Sequence, residues 1–202
     1  RTMKNLIKIT LALFLFPSFA LMAQNEIKSA PQIHWLGLDF TKAKMIGNEG
    51  FNDPEIIANQ FIAYGWNDLV FDEYDKYNVK DFLRGKKIEK HAEYMDQYNS
   101  TVTADGLVIT DDYQLTEQDV KDAVEKYQNL EAGEIYMSMI IESFNKPKEE
   151  GSIWITFFNG NNEVLYTKKM IAEPGGFGFR NYWARSVYNA LKDFEKVYKK
   201  MK

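Results

Sequence analysis

Three strand-like segments near the end of the chain constrain its fold more than anything before them. They are Glu134 to Phe144, Gly151 to Phe158 and Glu163 to Ile171. Along the first, Ile135, Met137, Met139 and Ile141 alternate with Tyr136, Ser138, Ile140 and Glu142. Period-two alternation sends the two sets to opposite sheet faces. Asn159-Gly160-Asn161-Asn162 supplies a hairpin turn, and Asn145 to Glu150, with Pro147, a longer one. Segments joined this way are expected to pair as antiparallel neighbours. Pro174-Gly175-Gly176 stops the third strand, and a helix is predicted from Asn181 to Lys200. On that helix Trp183, Val187, Ala190, Leu191, Phe194 and Tyr198 form one apolar stripe.

Earlier segments are shorter. Ile33 to Phe40 alternates and reads as a strand with His34, Leu36, Leu38 and Phe40 on one face. Asp53-Pro54-Glu55 opens a helix with a capping carboxylate and a proline at its first position. Ile88, His91, Ala92, Met95 and Tyr98 fit a helical face, and Leu107 to Thr110 a short buried strand. Thr116-Glu117-Gln118-Asp119 resembles a capping box, with a helix ending near Asn129. The expected fold is α+β: an antiparallel three-stranded meander, four or five strands in all, with helices on one face and a C-terminal amphipathic helix. The expected layout is a leader at 1–23, a flexible lead at 24–32 and one domain over 33–202.

Met3 to Lys8 is basic, Ile9 to Phe16 is apolar, and Pro17 to Ala23 carries small residues. This is the pattern of a secretory signal peptide, with cleavage after Ala20 or Ala23. The apolar stretch is about 15 residues against the roughly 20 that span a bilayer. Export to the periplasm or the cell exterior is therefore expected. The absence of cysteine excludes disulfides, thiol chemistry and a lipid anchor on cysteine. Removing Arg1, Lys4 and Lys8 with the leader takes the formal charge from −4 to −7. An acidic chain with mixed charges is repelled by nucleic acid and anionic lipid.

Groups suited to catalysis are scarce, which argues against an enzyme. There are two histidines. His34 reads as packing or rim on a strand, His91 as an ordinary helix-face residue, and neither lies in a metal-binding spacing such as H-E-x-x-H. No serine sits in a G-x-S-x-G elbow. No catalytic residue, cofactor or metal is expected. Asp105, Asp111 and Asp112 bracket the Leu107–Thr110 run. Acids so placed can flank a glycosidic bond or hold Ca²⁺, although solvated loops are their ordinary setting. The turn Gly175, Gly176, Gly178 and Arg180 can cradle an anion before a helix. Its ordinary role, and the one expected here, is a tight turn that lets Phe177 and Phe179 fold onto the sheet. Tyr136, Trp154 and Phe158 share the mixed sheet face. Left open, they form an aromatic platform for a protein partner, a second copy or a sugar ring.

The leader ending Ala-Gln, the missing cysteine and Gly176-Phe177-Gly178-Phe179-Arg180-Asn181-Tyr182-Trp183-Ala184 together resemble uncharacterised exported proteins of the Bacteroidota. The resemblance covers about the last 70 residues, and it implies an envelope or exported setting without an activity. The function expected is a noncatalytic exported domain that binds a partner or self-associates. The alternative is a carboxylate-based glycan hydrolase.

Overall fold

The computed structural model describes residues 21–201. In chain order come helix α1 (21–29), strand β1 (Ile33–Asp39), β2 (Lys44–Ile46) and α2 (Pro54–Ile56), which runs through a π-helical stretch (Ile57–Gly65) into α3 (Trp66–Asp72). Next are α4 (Val79–Phe82), β3 (Ile88–Lys90), α5 (Asp96–Asn99), β4 (Val108–Ile109) and α6 (Glu117–Val124). Strands β5 (Ile135–Asn145), β6 (Glu150–Asn159) and β7 (Val164–Ala172) precede the long α7 (Phe179–Lys200).

The seven strands form one mixed sheet, which corrects the α+β expectation. Strands β3, β1, β5, β2 and β4 pair in parallel, and β6 and β7 continue from β5 antiparallel. The protein is an α/β fold, not a three-stranded meander with helices on one face. Along one edge of β5, β1 pairs with its first half (His34↔Tyr136) and β2 with its last residues (Lys44↔Ser143). β3 lies outside β1 and β4 outside β2. Turn residues announce antiparallel hairpins, whereas a parallel pair between segments 100 residues apart has no local signature.

Both faces are covered. On one, Met137, Met139, Ile141, Ile153, Ile155 and Phe157 pack with α7, α3 and the π-helical stretch. The stripe expected on α7 is buried throughout. On the other, Leu36, Tyr136, Ile140, Trp154 and Phe158 pack with α6 and Met95. Helix α6 starts at the expected capping box: Thr116 Oγ1 accepts from Asp119 N–H at 3.2 Å and the Asp119 carboxylate accepts from Thr116 N–H at 2.8 Å.

A bulge in β1 divides its side chains between these cores. Gly37 has φ +100°, and a Cβ there would lie 2.5 Å from Asn67 Oδ1. Past the bulge the alternation flips. Leu38 and Phe40 join Trp35 on the α7 face, while His34 and Leu36 stay on the α6 face. The expected common face of His34, Leu36, Leu38 and Phe40 is thereby corrected. Asn67 and Asn99, both buried, repair the interrupted ladder. Leu38 N–H donates to Asn67 Oδ1 at 2.7 Å, and both amides donate to Leu38 O.

Residues 88–90, expected to be helical, form β3 instead. A three-residue edge strand is too short for alternation to outweigh an accidental helical match. The expected leader lies outside the described residues up to position 20. The lead at 24–32 is helical to residue 29, with Ile27 fully buried and Lys28 Nζ donating to Tyr198 O at 2.7 Å. No described helix is long and apolar enough to cross a membrane.

Phe194 anchors α7, fully buried with its ring 5.9 Å from Phe157. Phe194→Ala is expected to lower stability by about 3–5 kcal/mol. Urea unfolding measures this, and an unchanged midpoint would contradict the packing.

Candidate functional site

The two histidines of the chain meet. In the parallel register of β1 and β3, His34 lies opposite Glu89. His91, two residues beyond Glu89, projects to the same side because strand side chains alternate. Its backbone N–H donates to Trp35 O at 3.0 Å and prolongs the ladder past β3. His34 Nδ1 and His91 Nε2 are 2.9 Å apart, and the rings stack at 5.1 Å. Two ring nitrogens so close share one proton between their lone pairs.

Acids surround the pair. Glu89 Oε1 is 3.9 Å from His34 Nδ1 and 3.7 Å from His91 Nε2. Glu134, immediately before β5, places Oε2 3.1 Å from His34 Nε2. Gln32 donates to Glu89 Oε2 at 2.9 Å, which leaves Oε1 toward the imidazoles. Tyr136 walls the site with its ring 4.9 Å from His34. Burial, and next the neighbouring His34 ring, push His91 below the ordinary histidine value; Glu89 and Glu131 act in the opposite sense. The cavity is about 180 Å³, lined by His34, His91, Glu89, Glu131 and Glu134 among others, with no lysine or arginine in its wall. His34 is nearly buried, whereas the His91 side chain is 33% and that of Glu89 49% exposed, so the site opens to solvent.

The residues favoured from sequence fall elsewhere or play other parts. Tyr136, Trp154 and Phe158 are 4%, 8% and 0% exposed. The aromatic platform is therefore core, roofed by α6 and Tyr127, whose ring lies 5.4 Å from Phe158. Tyr136 alone reaches the histidine cavity. Trp154 Nε1 donates to Glu142 Oε2 at 2.9 Å, beneath the Lys169 ammonium, which sits 2.5 Å from Glu142 Oε1. Glu142 also accepts from Leu115 N–H.

In the glycine turn, Gly176 and Gly178 adopt φ +99° and +83°. Gly178 caps α7, Gly175 and Gly176 border a solvent-open cavity, and Arg180 is exposed while its carbonyl accepts from Trp66 Nε1. Phe179 packs 5.0 Å from Phe61, but Phe177 is 97% exposed and does not fold onto the sheet. Asp105, Asp111 and Asp112 are exposed. Lys148 holds the Asp112 carboxyl below the usual range, opposite to the raised value that a glycosidase acid needs.

Sequence reasoning set His34 aside as packing or rim and His91 as an ordinary helix-face residue, and it missed Glu89 and Glu134. The available signal was Glu89-x-His91, which puts two ligand types on one face only if the segment is a strand. Comparison of the chain with protein-family models, curated proteins and solved structures returns no match.

Glu142 is 1% exposed and depends on its three donors. Lys169→Met is expected to cost about 3 kcal/mol by leaving a buried carboxylate without its cation. The Glu142→Gln, Lys169→Met double variant is expected to recover more than half of that loss. Chemical denaturation of the three proteins checks both statements; a single variant as stable as the parent would contradict them.

Proposed function

We propose that this chain is an exported, noncatalytic binding domain that captures a small cation in the His34–His91 cavity. One observation carries the reading: three carboxylates and two imidazoles line a cavity of about 180 Å³ that has no basic residue in its wall. Such a wall has a negative potential that attracts cations and repels anions. Export is supported by the basic, apolar and small-residue pattern of residues 1–23. The noncatalytic character is supported by the partners of the imidazoles. Among the described residues the rings are hydrogen-bonded to each other, His34 Nε2 faces the Glu134 carboxylate, and no hydroxyl nucleophile is hydrogen-bonded to either ring. Nucleophilic triad chemistry needs that contact.

The imidazole ¹H–¹⁵N signals of His34 and His91 provide the test. Titration with methylammonium, putrescine, Ca²⁺ and Zn²⁺ is expected to shift both signals saturably for at least one cation. Phosphate and sulfate are expected to leave them unmoved. Saturation by an anion, or silence toward every cation, would overturn the reading.

A further inference from the structure

We infer that the captured cation is a divalent transition-metal ion held by His34 Nδ1, His91 Nε2 and Glu89 Oε1, with Glu134 positioning His34 from behind. The inference rests on the cation-binding reading of the cavity and names the ligand class. Its first support is the donor geometry. The three atoms are 2.9, 3.7 and 3.9 Å apart. Ligands at about 2.0–2.1 Å from a tetrahedral zinc ion lie about 3.3 Å from one another. The set therefore brackets the spacing that a single ion requires. The half-exposed Glu89 carboxylate needs the largest adjustment, a movement of Oε1 by a few tenths of an ångström while Oε2 keeps its Gln32 donor. In place of the proton shared by the two rings, one ion satisfies both lone pairs.

The second support is the type of donor. An organic ammonium ion is held by carboxylates and aromatic faces, whereas two ring nitrogens converging beside one carboxylate suit zinc, copper, nickel or iron. Calcium and magnesium prefer all-oxygen sets. Third, Glu134 Oε2 lies 3.1 Å from His34 Nε2, the nitrogen remote from the proposed ion. A carboxylate there fixes the ring tautomer and orientation, as behind metal-bound histidines generally. Finally, three protein donors leave a fourth position for water or a further ligand, unlike the closed four-ligand set of a structural zinc site.

The test uses chelator-treated full chain titrated with Zn²⁺, Co²⁺ and Ca²⁺ by calorimetry, with Co²⁺ absorption as a coordination readout. Zn²⁺ and Co²⁺ are expected to bind one per chain and Ca²⁺ not at all. His91→Ala, on a solvent-open strand end, should keep the parent's unfolding midpoint and lose at least about 100-fold in Zn²⁺ affinity; Glu89→Gln should lose about 10–100-fold. Glu134→Gln should weaken binding about 10–100-fold and shift the Co²⁺ spectrum at unchanged midpoint and stoichiometry, which a purely structural role would not do. Zn²⁺ affinity unaltered by His91→Ala would overturn the assignment. Failure of the parent to take up Zn²⁺ or Co²⁺, while methylammonium or putrescine still shifts the histidine signals, would overturn the metal and leave the cation cavity standing. Failure of every cation would remove both.

Discussion

Strand β5 is buried along all eleven of its residues, because it has sheet neighbours on both edges and a packed layer on each face. Its odd-numbered side chains from Ile135 to Ile141 enter the α7 core, while Tyr136 and Ile140 enter the α6 core. A strand in this position must satisfy every backbone group inside the sheet, since water reaches neither face. That requirement recruits β1 and β2 end to end along one edge. It also fixes the place of His34, which pairs with Tyr136 at the start of β5.

Where the ladder breaks, buried polar side chains complete it. The bulge at Gly37 would strand backbone groups of Leu38 and Phe40, and Asn67 and Asn99 meet them at 2.7–3.0 Å. Asp39, turned onto the α6 face by the same bulge, accepts from Thr41 N–H and from Tyr127 O–H. Burial, and next the facing carboxylate, hold the Tyr127 phenol protonated well above its ordinary range. Glu142 is handled in the same way by Leu115, Trp154 and Lys169. Asp39, Asn67, Asn99 and Glu142 are tolerated in these cores because each has partners of its own, not because it reaches water.

The histidine site is built from the same pairing. His34 comes from β1, Glu89 and His91 from the end of β3, and Glu134 from the residue before β5. The cavity sits where three strand ends converge, which allows charged groups to be open to solvent while the sheet behind them stays dry. Much of the candidate site was illegible in sequence for a definite reason. Ile88 to Tyr98 fits a 3.6-residue period by accident, and on a helix Glu89 and His91 do not face the same way. Trp154 and Phe158 were legible as one face, but whether that face is surface or core depends on α6, which packs there from a distant part of the chain.

By itself the sequence determined what neighbours within a few residues decide. These features are the caps at Asp53 and Thr116, the apolar stripe of α7, the antiparallel succession of β5, β6 and β7, and the absence of disulfides. Each follows from spacings of two to four residues or from composition. Only the tertiary structure decided the parallel pairings, the burial of the aromatic face and the meeting of His34 with His91 across 57 residues. Those outcomes depend on which distant strands share backbone hydrogen bonds. The many competing pairings of short apolar segments differ by energies that no local pattern records, so the register appears only when the whole sheet closes around β5.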